Sequence, residues 1–195
     1  MEITAAMVKE LRSQSGAGIM ECKSALKETS GDVEAAITFL RKKGLAKADK
    51  KSGRQTGDGS VGTYIHAGNK LGVMVELNCE TDFVANTPDF QELIRDIAMH
   101  IAAAKPRFAT RVEVTQETLD KEKEIFAHQA KESGKPENII EKIVSGKMEK
   151  FYEENCVLEQ PFIKDTNITI QELIKQKIAL LGENINIGKF ARFEI

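Results

Sequence analysis

Two runs rich in β-forming residues lie close together: Val61-Gly62-Thr63-Tyr64-Ile65-His66 and Leu71-Gly72-Val73-Met74-Val75-Glu76-Leu77. Ala67-Gly68-Asn69-Lys70 joins them, and Gly-Asn between such runs signals a β-hairpin. Val73, Val75 and Leu77 alternate with Gly72, Met74 and Glu76, so one face of the second run is the more apolar. The chain before the hairpin, and most of it afterwards, follows a helical period instead. An antiparallel sheet that must be covered by helices is an α+β architecture.

Residues 1–45 read as three short helices. Thr4 is placed to cap the first, with Met7, Val8 and Leu11 on one face, before Gly16-Ala17-Gly18 breaks the chain. Ile19 to Thr29 form the second, with Cys22, Ala25 and Leu26 inward, and Gly31-Asp32 is a stop followed by a cap. Val33, Ala36, Ile37 and Leu40 make the third stripe, which Gly44 is expected to end. A bundle of about 45 residues is near the lower size limit for folding alone, so its core is thin.

The stretch RKKGLAKADKKSGR, Arg41 to Arg54, holds seven positive charges and one negative. It reads as a solvated linker, or more sharply as a contact to an acidic partner or RNA. Beyond the hairpin, Asn78 to Asn86 breaks the strand alternation. Thr87-Pro88 opens a helix striped by Phe90, Leu93, Ile94, Ile97, Ala98 and Ile101, which Pro106 closes. Residues 115–133 and 136–154, punctuated by Gly134 and Pro136, read as a charged, protruding helical hairpin. Gln160 to Ile163 is extended, Thr169 caps a last helix that Gly182 stops, and Ile185, Ile187, Ala191, Phe193 and Ile195 alternate as a final strand. The expected division is a helical head at 1–45, a basic flexible linker at 46–59, and a core module at 60–195. That module combines a three-stranded antiparallel sheet, layered helices and the hairpin at 115–154.

Composition narrows function mainly by exclusion. The 28 basic and 30 acidic residues sum to −2, which argues against a chain-wide nucleic-acid binder. Cys22, Cys79 and Cys156 are few and scattered, so they suggest neither a disulfide framework nor a metal pair, and point to reducing cytosol. No apolar run approaches the roughly 20 residues that span a bilayer. The opening MEITAAMVKELR reads as an amphipathic helix rather than a targeting peptide. Gly57-Asp58-Gly59-Ser60-Val61-Gly62 matches a dinucleotide-loop spacing, but it enters a strand instead of opening a helix and reads as a hinge. His66, His100 and His128 lack metal spacing, and His100 sits on an apolar helix as a packed residue. No spacing isolates a catalytic pair, which favours a binding protein over an enzyme. In Thr81-Asp82-Phe83-Val84 the residue pattern alone favours Phe83 folding into the core while Asp82 makes a local turn bond. The alternative is an aromatic wedge aimed at a partner.

Several long motifs then occur in order. They are VKELRSQSGAGIMECKSALKETSGDVEAAITFLRKKG from Val8, ELNCETDFVA from Glu76, and IAMHIAAAKPRF from Ile97. Ser133-Gly134-Lys135-Pro136, Gln160-Pro161-Phe162, Gly182-Glu183-Asn184-Ile185 and Arg192-Phe193-Glu194 follow. With these the chain resembles the bacterial elongation factor Ts family over nearly its whole length. The resemblance implies a guanine-nucleotide exchange factor for elongation factor Tu, acting in protein biosynthesis in the cytoplasm, with a ubiquitin-associated-like head. It implies that Thr81 to Val84 dislodges Mg²⁺ from the partner, with Asp82 and Phe83 as the wedge. Further contacts fall on Lys9, Arg12, Ile19 and Met20 of the head and on His66. It also implies no enzyme activity, no cofactor, no bound metal, no membrane, and no direct nucleotide or nucleic-acid binding. With one core module where long members carry two, the chain resembles the short form that works as a homodimer. The alternative is an RNA- or ribosome-associated module using the basic linker.

Overall fold

The structure is a computed structural model and describes residues 3–132 and 136–195. Ser133, Gly134 and Lys135, where a hairpin break is expected, lie outside the described residues. The architecture is α+β, as the period change requires. Helices α1 (Ala5–Ser15), α2 (Ile19–Glu28) and α3 (Val33–Asp49) precede strands β1 (Asp58–Ile65) and β2 (Leu71–Cys79). The single turn α4 (Asp82–Ala85) leads into α5 (Pro88–Ala104). The hairpin helices α6 (Gln116–Glu132) and α7 (Glu137–Asn155) follow, then β3 (Pro161–Phe162), β4 (Asp165–Thr169), α8 (Ile170–Leu181) and β5 (Ile185–Glu194).

The strand order of the main sheet is β1-β2-β5. The β1–β2 turn has φ of 91° at Gly68 and 57° at Asn69, the left-handed pair a tight hairpin needs. His66 N–H donates to Leu71 O at 2.8 Å across it. Ile195 N–H donates to Lys70 O, so the end of β5 meets the beginning of β2 and the two run antiparallel. The chain divides into two compact units. One comprises Met1–Ser60, Asn78–Leu93 and Glu172–Asn186, and the other Val61–Leu77, Ile94–Gln171 and Ile187–Ile195.

In the first unit Leu11, Cys22, Ala25, Leu26 and Ala36 form the buried centre of the head. Thr4 and Asp32 cap α1 and α3 as expected, accepting from Met7 N–H and Ala35 N–H. Gly44 does not end α3, which runs on to Asp49. A Cβ at Gly44 would lie 3.2 Å from Ala179 Cβ, so glycine here lets α3 approach α8 closely instead of stopping the helix. The basic stretch is correspondingly engaged. Arg41 pairs with Glu172, Lys47 with Glu21 and Arg54 with Glu80, while Lys51 donates to Gly182 O.

In the second unit Gly62 packs against Ile94 of α5, and His100 is buried as expected. The hairpin base is an apolar cluster of Val114, Met148, Phe151 and Cys156. Arg111 clamps it, pairing with Glu149 and Glu159 while lying 4.2 Å from the centre of the Tyr152 ring. The extended reading of Gln160 to Ile163 holds at Pro161–Phe162, whereas the alternation expected of the final strand needs correction. The extended segment at Gln160 is half of a second sheet, with Pro161 opposite Thr169 and Phe162 opposite Asp165. In β5 the expected single alternation does not persist. Ile187 is buried, but Ala191, Phe193 and Ile195 are exposed while Phe190 and Arg192 are half-buried. Arg192 turns inward because its Nε donates to Ala102 O at 3.1 Å, a carbonyl in the last turn of α5 that no apolar side chain can satisfy.

Candidate protein-docking site

Thr81 to Val84 forms a helical turn rather than an open loop tip. Thr81 is extended, and Ala85 N–H donates to its carbonyl. Phe83 does not fold into the core. It is 82% exposed, which overturns the reading from local pattern and leaves an aromatic ring in solvent on a short, well-tied backbone. Asp82 is exposed beside it, while Val84 is half-buried. Burying a Phe side chain is worth roughly 1.5–3 kcal/mol, a contribution that Phe83 forgoes within its own chain.

The ties come from both sides. Upstream, Glu183 Oε2 accepts from Glu80 N–H at 3.1 Å and Thr81 N–H at 3.0 Å, and its Oε1 accepts from the Thr81 hydroxyl at 2.7 Å. Asn184 N–H donates to Glu80 Oε1 at 2.7 Å, and the Cys79 thiol donates to Thr81 O at 3.1 Å. Burial, and then the nearby Glu183 charge, push the Cys79 thiol pKa up, which keeps it protonated and donating. Downstream, Asn86 Nδ2 donates to Asp82 O, the Thr87 hydroxyl to Val84 O and Gln91 Nε2 to Ala85 O, each at 2.8 Å. The Thr87 hydroxyl also accepts from Phe90 N–H, so one residue closes α4 and starts α5. Local pattern places the turn, but it does not link Thr81 to Glu183, 102 positions away. The only sequence signal for Glu183 and Asn184 is their place in the Gly182–Ile185 motif.

The head presents two exposed sets. Lys9 and Arg12 are exposed at i, i+3 on α1, and Ile19 and Met20 open α2, with Met20 76% exposed. Apolar side chains at a helix start are free to face solvent here because the inward stripe of α2 is Cys22, Ala25 and Leu26. His66 lies in the second unit, exposed at the end of β1, with Nδ1 2.9 Å from the Tyr64 hydroxyl. That unit also exposes Ile65, Met74 and Phe193 along a groove of about 450 Å³. Among the described residues, no group of three or more His, Cys, Asp or Glu could hold a metal ion, and no helix is long and apolar enough to cross a membrane.

Residues 3–195 match the family model described as Elongation factor TS. Relatives bearing that name agree along their length. The Elongation factor Ts of Fervidobacterium nodosum is 58% identical over 195 residues, covering 100% of this chain and 99% of the relative. That of Geobacter sulfurreducens is 57% identical, covering 99% and 89%, and that of Thermosipho melanesiensis is 55% identical, covering 99% and 98%. The chain belongs to the elongation factor Ts family.

Proposed function

We propose that this chain is the guanine-nucleotide exchange factor for elongation factor Tu, acting in the cytoplasm during translation elongation. It binds the GDP form, dislodges Mg²⁺ with the Thr81–Val84 turn and promotes GDP release so that GTP can bind. The observation that carries this reading is Phe83, an exposed aromatic on a turn tied at both ends, inside the motif that resembles the family's wedge.

The energetics are those of coupled binding. An exchange factor must bind the nucleotide-free partner better than the nucleotide-bound one, because the coupling between two ligands is reciprocal. A thousandfold faster release needs roughly 4 kcal/mol of barrier reduction. Inserting Phe83 into an apolar space that opens only when the nucleotide site loosens supplies part of it. Asp82 beside it brings a negative charge toward the Mg²⁺ environment, and shifting that ion removes charge compensation from the phosphates. No covalent bond changes, so the protein is not an enzyme and uses no cofactor. Lys9, Arg12, Ile19 and Met20 of the head and His66 supply further partner contacts, with Met20 as the largest exposed apolar anchor among them.

The working unit is a homodimer. Exposed Ile65, Met74 and Phe193 in one groove support this, since an apolar sheet face of this kind calls for cover, and β5 contributes Phe193 to it. An RNA-binding role for the Arg41–Arg54 stretch is disfavoured by its own chemistry. Four of its seven cations, Arg41, Lys47, Lys51 and Arg54, already have partners within the chain.

The test is release of fluorescent GDP from elongation factor Tu by stopped flow, with and without this protein. Acceleration that saturates with added protein and weakens in excess Mg²⁺ is expected. An unchanged release rate would sink the reading.

A further inference from the structure

The backbone that leads into the exposed turn is held by one side chain from a distant part of the sequence. Two consecutive amides, those of Glu80 and Thr81, converge on Glu183 Oε2, and the Thr81 hydroxyl takes Oε1. We propose that Glu183 is a positioning residue for nucleotide exchange, whose carboxylate sets the direction in which Thr81 to Val84 leaves β2 and so the line along which Phe83 is presented. The proposal rests on the reading that Phe83 is the wedge.

The geometry explains why a carboxylate sits there. Glu80 and Thr81 come after the last ladder residue, Cys79, and before the first helical residue, Asp82. Amides at such a junction belong neither to the sheet nor to the helix and need another acceptor. Two successive N–H groups reach one oxygen only if both peptide planes are turned to the same side, which fixes the backbone dihedrals between them. The hydroxyl on the other oxygen stops the carboxylate from rotating. Glu183 itself is fixed on the short link between α8 and β5, where Gly182 N–H donates to Ile178 O and Asn184 N–H donates to the Glu80 carboxylate. The two segments therefore grip each other reciprocally, Glu183 on the Glu80 and Thr81 backbone and Glu80 on the Asn184 backbone. Without the carboxylate both amides fall back on water, and the turn gains other directions of exit. A wedge acts in one orientation, so each added orientation lowers the fraction that is competent.

Glu183→Ala, Glu183→Gln, Phe83→Ala and the double variant Phe83→Ala/Glu183→Ala are compared in catalysed release of fluorescent GDP. Hydrogen exchange at the Glu80 and Thr81 amides is measured in parallel. Glu183→Ala is expected to slow release about tenfold and to deprotect those two amides, with the head core unaffected. Glu183→Gln is expected to stay within about twofold of the parent, because its amide oxygen accepts both N–H groups and its NH₂ donates to the Thr81 hydroxyl oxygen. The double variant should be no slower than Phe83→Ala alone, which separates positioning from a general loss of stability. If Glu183→Ala does not fold, Thr81→Val removes only the hydroxyl tie and is expected to slow release in the same direction. Full-rate release by a folded Glu183→Ala, or multiplicative losses in the double variant, overturns the positioning role while leaving the wedge intact. Full-rate release by Phe83→Ala overturns the wedge reading and this proposal with it.

Discussion

His100 Nε2 lies 3.0 Å from Gln160 Oε1, and both residues are buried. Gln160 passes the constraint on, since its Nε2 donates to Glu154 O at 2.7 Å. The other imidazole nitrogen, Nδ1, is buried with no partner among the described residues. Burial pushes the His100 pKa down, with the Gln160 bond opposing in part. A folded-state pKa below the unfolded value of about 6.5 means that the unfolded chain takes up the proton first. The stability contribution is therefore complete above about pH 6.5 and is lost as the pH falls through and below that value. Urea unfolding at pH 7.5 and 5.5 should show the parent losing more stability between the two than His100→Gln, which keeps a partner for Gln160 but does not titrate.

Gly62 should not tolerate a side chain. A Cβ there would meet Ile94 Cγ1 at 2.5 Å, far inside van der Waals contact. Gly62→Ala is expected to cost about 1–3 kcal/mol, because Ile94 must leave its rotamer or β1 must move away from α5. Thermal denaturation measures it, and Gly62→Ala/Ile94→Ala should cost less than the sum of the two single changes, because removing Ile94 Cγ1 relieves the clash.

Phe83→Ala is expected to slow catalysed GDP release at least tenfold while changing stability by less than about 0.5 kcal/mol, as for other exposed positions. Stopped-flow release with a matched thermal melt checks both halves. Loss of activity accompanied by a lower melting temperature would instead indicate a packing role for the ring.

Met20→Ala should weaken association with elongation factor Tu by about 1–2 kcal/mol without loss of fold, since the side chain packs against little of its own chain. Replacing Lys9 and Arg12 with Gln should reduce the association rate, and raising the salt concentration should shrink the difference from the parent. Titration calorimetry and stopped-flow binding distinguish the two effects.

Phe193→Lys should convert a homodimer to a monomer, read by light scattering as a mass falling from twice 21.6 kDa to 21.6 kDa. Reductant should leave the parent's mass unchanged. Cys22, Cys79 and Cys156 are all buried, and the Cys156 thiol pKa is raised to about 11, with burial the main cause, so thiol reagents should modify it slowly in the folded protein. A monomeric parent with full exchange activity would remove the dimer from the account.

The elements legible in the sequence are those whose cause is local. The caps at Thr4 and Asp32, the left-handed turn at Gly68-Asn69, the stripe of α5 and the opening at Thr87-Pro88 each follow from residues within a turn or two of one another. Gly44 shows where local reasoning ends. The same residue type that stops a helix also permits close approach, and only the position of Ala179 decides which role it takes. The β5 alternation goes astray for a similar reason. The carbonyl of Ala102 draws Arg192 inward, and its location is set by how α5 ends and not by any period in β5.

The candidate site divides in the same way. The family motifs, the turn before α5 and the aromatic in that turn are legible in the order of the residues. That Phe83 points outward, and that Glu183 holds the backbone beneath it from 102 positions away, follows from the fold in three dimensions. Exposure and hydrogen-bond partnership depend on what surrounds a residue in space, not on its neighbours along the chain. A junction amide requires an acceptor, and the fold, by bringing the link between α8 and β5 beside the end of β2, determines which side chain provides it.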